Sequence, residues 1–148
     1  MSKTDLAYVV EAQLLGAPGV PAIELVRVVG QTGAEHVVDL RYDDVVLRLR
    51  REKRWYEVLF TSVVDTEWFG SAEILEFFRL PDEEIDSQDA TRSVLNLRAF
   101  LERFGSELSH VFAKNTYARS KPELLRARMR RNLRRWPSNH QPEPEDEL

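Results

Sequence analysis

Two periods divide this chain. Between about residues 23 and 63 apolar side chains recur at every second position, and from about residue 70 they recur every three or four. In the first region Val38, Leu40 and Tyr42 share one side of a run, with Val37 opposite. Val45, Leu47 and Leu49 then alternate with Val46, Arg48 and Arg50. After that Tyr56, Val58 and Phe60 alternate with Trp55, Glu57, Leu59 and Thr61. Alternation of this kind is the signature of a half-buried strand. Together with the β-branched run Ile23–Val29, it predicts about four strands over 23–63. Gly30-Gln31-Thr32-Gly33, Asp43-Asp44 and Glu52-Lys53 supply the reversals. Links this short do not allow parallel crossovers, so the strands should pair as an antiparallel meander.

The longer period predicts helices. Leu6, Val9, Val10 and Leu14 fit a helix over 5–15 capped by Thr4, with a strand as the alternative, before Gly16–Pro21 breaks the pattern. Ser71 is a candidate N-cap for a helix over 71–79 carrying Ile74, Leu75, Phe77 and Phe78, which Leu80-Pro81 ends. After an acidic loop, Ser87 or Asp86 can cap a long helix over 88–113. Its Val94, Leu97, Leu101, Phe104, Leu108 and Val111 form the clearest periodic signal in the chain, a face that packs on the sheet. Gly105 within it costs ~1 kcal/mol of helix propensity relative to Ala. Ser120 and Pro122 can open a last helix over 120–136 with a narrow stripe of Leu125, Met129, Leu133 and Trp136. Residues 137–148 read as a disordered acidic tail. The expected fold is therefore α+β: a meander with helices on one face, in a single domain over 1–136.

Charge changes the picture at the C-terminal end. Residues 114–136 hold nine cations against Glu123, a net of +8, while residues 1–113 hold twelve cations and twenty acids, a net of −8. The last twelve residues add four acids, which closes the total at −4. Such asymmetry marks a partner surface or an internal clamp. An arginine-rich helix can grip phosphates, lie on an anionic membrane, enter the groove of an acidic protein, or fold back on its own acidic body. Folding back would set its arginines against Asp82, Glu83, Glu84 and Asp86, with the apolar stripe in the core. A nucleic-acid binder is more often basic throughout, and this body is acidic.

Catalytic chemistry is hard to find. The chain has no cysteine, which excludes disulfides, thiolate metal sites and a Cys nucleophile. His36, His110 and His140 are far apart and lack metal-ligand spacing. Asp43-Asp44 lies in a turn, and Glu57 has no lysine two residues on, as a metal nuclease would need. No GxSxG, P-loop or GxGxxG motif occurs. We therefore expect no catalytic residue, no cofactor, no metal and no enzyme. No secretory signal and no membrane span is visible, so a cytoplasmic protein is expected. Of the aromatic residues, Trp55 is the one placed on a polar face beside Arg54. The candidate partner-binding set is Arg126, Arg130, Arg131, Arg134, Arg135 and Trp55.

Val45-Val46-Leu47-Arg48-Leu49, Trp55-Tyr56-Glu57-Val58, Glu67-Trp68, Ile74-Leu75-Glu76-Phe77-Phe78 and the run from Leu97 to Val111-Phe112 follow one another in a telling order. Over about residues 23–113 the chain resembles a group of small bacterial proteins, some of them immunity proteins that neutralise a toxin encoded beside them. The resemblance lies in hydrophobic pattern and carries no functional residue across. It implies a non-enzymatic, immunity-type or regulatory protein that acts by occupying a protein partner. The second reading is a nucleic-acid-binding module that uses residues 119–135.

Overall fold

The strands form because their alternation lets one face bury Val, Leu and Phe while the other stays wet. The computed structural model describes residues 6–30 and 37–135. Five strands make one antiparallel sheet in sequence order: β1 (Glu24–Val29), β2 (Val37–Tyr42), β3 (Val45–Glu52), β4 (Trp55–Ser62) and β5 (Phe69–Gly70). The meander is as expected, with a fifth strand added. β5 is two residues long, too short to leave a periodic signal. Two-residue loops at Asp43-Asp44 and Lys53-Arg54 join β2 to β3 and β3 to β4, and Asp43 and Lys53 take φ of 51° and 58°. The expected turn at 31–33 lies outside the described residues.

Val38, Leu40, Tyr42, Val45, Leu47, Leu49, Val58 and Phe60 point inward and are buried. They meet α1 (Leu6–Gln13) and α3 (Ala90–Phe112). The α3 stripe is core at Val94, Leu97, Leu101 and Leu108, while Phe104 and Val111 are partly buried at its margin. Phe60, Phe100, Phe78 and Phe104 extend this core as a chain of rings 4.9–6.3 Å apart. Gly105 has a packing reason: a Cβ there would lie 2.8 Å from Pro21 Cγ, and its carbonyl accepts the buried Tyr42 hydroxyl at 3.0 Å.

Two helix starts differ from expectation. Asp89, not Ser87 or Asp86, caps α3, accepting the Arg92 N–H at 3.0 Å. Ser87 and Asp86 are instead spent on the free edge of β4, where Tyr56 N–H donates to Ser87 O and Val58 N–H to Asp86 Oδ1. In α2 (Ser71–Phe77) the N-cap is Gly70, whose N–H donates to the Glu73 carboxylate at 3.0 Å. Ser71 is already helical, and its hydroxyl donates to Asp86 at 2.7 Å. α2 stops where Arg79 takes a φ of 63°.

The outward sheet face carries charge. Asp39 is buried there between Arg48 at 2.8 Å and Arg27 at 3.1 Å, and Arg48 lies 4.5 Å over the Trp68 ring. α4 (Tyr117–Arg135) packs on α2. It begins three residues before Ser120 and holds Pro122 inside.

Candidate partner interface

α4 is fastened to the body by its cations. Leu124 and Ala127 are its buried apolar contacts, with Tyr117 stacked on Phe112 at 5.8 Å. Around them Lys121 reaches Asp65 at 2.9 Å and Glu67 at 3.2 Å. Arg128 pairs with Glu67 and Glu73, donates to the Trp68 carbonyl at 2.7 Å and lies 4.7 Å over Phe69. Arg130 and Arg134 converge on Glu76 at 3.3 and 2.8 Å, and the Glu76 side chain is only 3% exposed. A carboxylate buried to that degree is tolerated because two guanidinium groups answer it.

The electrostatics of this seam follow from those contacts. Hydrogen bonds to Arg134 and, against the cost of burial, Arg130 hold the Glu76 carboxyl below its usual range. Arg128 and Lys121 do the same for Glu67. Burial alone would raise Asp65, but hydrogen bonds from the Tyr117 hydroxyl, Lys121 and two backbone N–H groups bring it down to about 2. The same burial and the same Asp65 bond push the Tyr117 phenol up.

The expected docking geometry is thus corrected in two respects. The acids that pair with the helix are Asp65, Glu67, Glu73 and Glu76; of those expected, Asp82 adds only a longer-range attraction at Arg134, and Glu83, Glu84 and Asp86 form no ion pair with the helix among the described residues. The stripe expected in the core faces solvent: Leu125 is 37% exposed, Met129 65% and Leu133 57%. Burying that stripe would have turned the arginines away from the α2 carboxylates. Trp136 lies outside the described residues.

The candidate residues separate into groups. Arg130 and Arg134 are committed to Glu76, and Arg126 reaches Glu123 on its own helix at 2.6 Å. Arg135 ends α4. Arg131 has no ion-pair partner among the described residues, and it lines a cleft that Trp55 also lines. That cleft, of about 690 Å³, lies between the start of β4, the N-terminal turn of α2, the 81–86 segment and the C-terminal half of α4. Trp55 (45% exposed), Arg131 and Arg134 line it, and Leu75, Pro81 and Ile85 supply apolar surface. Four carboxylates, Glu57, Glu83, Glu84 and Asp86, complete it. Burial raises the Asp86 carboxyl, partly offset by the Ser71 hydroxyl and Val58 N–H. The sequence singled out Trp55 and the arginines separately. It held no sign that a strand start and a helix end 76 positions apart would share a cleft, nor that Asp86 would line it.

Of the acids considered for metal chemistry, Asp43 and Asp44 lie outside the cleft and Glu57 lines it. Asp43 accepts the Ser109 hydroxyl at 2.7 Å, Asp44 accepts the Lys114 N–H at 2.9 Å, and Glu57 pairs with Arg50 at 3.1 Å. His110 is exposed, while His36 and His140 lie outside the described residues. Among the described residues no three His, Asp or Glu side chains gather as a metal site, and no helix is long and apolar enough to cross a membrane. In comparisons with protein-family models, curated proteins and solved structures, none matches this chain.

Proposed function

We propose that this chain is a non-enzymatic binding protein, immunity-type or regulatory, that receives a segment of a protein partner in the Trp55–Arg131 cleft. The observation that carries this reading is one cleft lined by an exposed tryptophan, by apolar surface and by an arginine with no ion-pair partner among the described residues. Trp and Arg lead among the residues that dominate affinity at protein interfaces. Trp55 would cover an apolar anchor of the partner, and Arg131 would take a carboxylate or backbone carbonyl beside it. Glu84 can meet a cation or N–H on the same segment. A nucleic-acid surface is less well supported. The cleft's four carboxylates oppose phosphate, and Arg128, Arg130 and Arg134 are already matched to acids of the body.

Selection of a displayed peptide library against the intact protein tests this. The selected peptides should combine an apolar anchor with an acidic residue. Trp55→Ala and Arg131→Ala should each weaken them roughly tenfold, about 1.4 kcal/mol, without changing the thermal melt. Failure to select any peptide, or selection of peptides indifferent to both changes, would refute the cleft. Sub-micromolar binding of duplex DNA at physiological salt, lost when Arg126 and Arg131 become Gln, would establish the nucleic-acid reading instead.

A further inference from the structure

The outward face of α4 is a second surface, turned away from the docked side. Leu125, Met129 and Leu133 lie one turn apart, so they make a single ridge about 12 Å long. All three are exposed, and the exposed Ala118 and Pro122 continue the ridge toward the start of the helix. The helix does not use this ridge for its own folding, because Leu124, Ala127 and the arginine–glutamate pairs hold the opposite side. Three large side chains in water at helical spacing form the pattern by which one helix packs on another. Met129 suits such a contact because an unbranched thioether adapts to the shape it meets.

Charge selects the occupant. From Tyr117 to Arg135 the helix carries eight cations and Glu123. The body pairs Lys121, Arg128, Arg130 and Arg134 with Asp65, Glu67, Glu73 and Glu76, and Arg131 lines the cleft with its carboxylates. Two of the cations, Arg119 and Arg126, stand exposed along one flank of the ridge. Among the described residues Arg119 has no ion-pair partner and Arg126 pairs with Glu123 alone. A second copy of this chain would bring two such cationic ridges together, which like-charge repulsion opposes. A helix with leucine-like residues on one face and carboxylates along its edges would bury the ridge and pair Arg119 and Arg126 at the same time. We infer that the outward face of α4 docks an acidic amphipathic helix of another protein, separately from the cleft.

The test uses the whole chain and a labelled, end-blocked helical peptide with Leu at heptad a and d positions and Glu at the flanking ones. A Lys-flanked peptide with the same leucines is the control. The acidic peptide should bind saturably, with Kd on the order of 10⁻⁵ M, and more weakly as salt rises. The control should not bind. Changing Met129 and Leu133 together to Gln should weaken binding by roughly tenfold or more while the thermal melt stays in place. Trp55→Ala should leave binding intact, which separates this surface from the cleft. Absence of saturable binding would overturn the inference, as would equal binding of the Lys-flanked peptide. So would dimerisation in sedimentation velocity that the double change abolishes, since the occupant would then be a second copy. Binding to phosphatidylserine vesicles, lost in the same variant and without binding of the acidic peptide, would assign the ridge to a lipid surface.

Discussion

In α3 the stripe of Val94, Leu97, Leu101 and Leu108 is buried against the sheet, whereas in α4 the stripe of Leu125, Met129 and Leu133 stands in solvent. Both stripes have helical spacing, and spacing alone cannot tell them apart. The surface each helix meets decides between them. α3 crosses a sheet face of Leu, Val and Phe, where apolar area removed from water is the main favourable term. α4 meets α2 and the segment before it, which present Glu67, Glu73 and Glu76. There the favourable arrangement pairs guanidinium groups with carboxylates, and the buried apolar patch of α4, Tyr117, Leu124 and Ala127 among the described residues, is small. Long arginine stems also cover apolar surface while their heads stay polar, as Arg128 does over Phe69.

The contrast is broken most severely from the α3 side. Leu101→Ala or Leu108→Ala should cost about 2–5 kcal/mol, the range for truncating a buried leucine, in urea unfolding. A change within ~0.5 kcal/mol would mean that this face is not core.

Next comes the seam. Glu76→Gln removes the charge that Arg130 and Arg134 share and should cost about 1–3 kcal/mol. The loss should be local, with amide exchange accelerated along α4 while α3 stays protected. Equal acceleration in both helices would show that α4 does not open on its own.

Acid should act on the same seam. Glu67, Glu76 and Asp65 all have folded values held below their usual ones, 4.5 for Glu and 3.8 for Asp. Their stabilisation is therefore complete above those values and is lost as pH falls through the folded ones, down to about 2 for Asp65. Asp86 is raised and works with the opposite sign: its ionisation costs stability as pH rises, so it offsets part of the acid loss. In an NMR titration from pH 6 to 2, the methyls of Leu124 should shift before those of Leu101. Simultaneous movement would argue against a charge-held helix.

The smallest effect is expected on the ridge. Changing Met129 and Leu133 to Gln should alter stability by no more than ~0.5 kcal/mol, as at ordinary surface positions. A larger loss in a thermal melt would mean that the stripe packs after all.

The sequence displayed the meander and the α3 face clearly, because Val45-Leu47-Leu49 and Leu97-Leu101-Leu108 each obey one period over several residues. The docking of α4 was half legible. Net charge predicted that a basic helix could fold onto an acidic body, but the responding acids are spread over Asp65, Glu67, Glu73 and Glu76. The acidic run at 82–89 is denser in sequence, yet it forms no ion pair with α4 among the described residues. The stripe was misleading because an apolar face is usually the buried one. The cleft was least legible, since pairing Trp55 with Arg131 depends on where two distant elements come to rest.

Gly105 constrains how this sequence can drift. Alanine at this position would ordinarily favour the helix, yet the ring of Pro21 occupies the space its methyl would need. The two positions should therefore vary together among descendants of this chain: a side chain can appear at 105 only after the proline at 21 has given way. The loop from residue 14 to 23 carries no regular structure, yet in this respect it is inherited as part of α3.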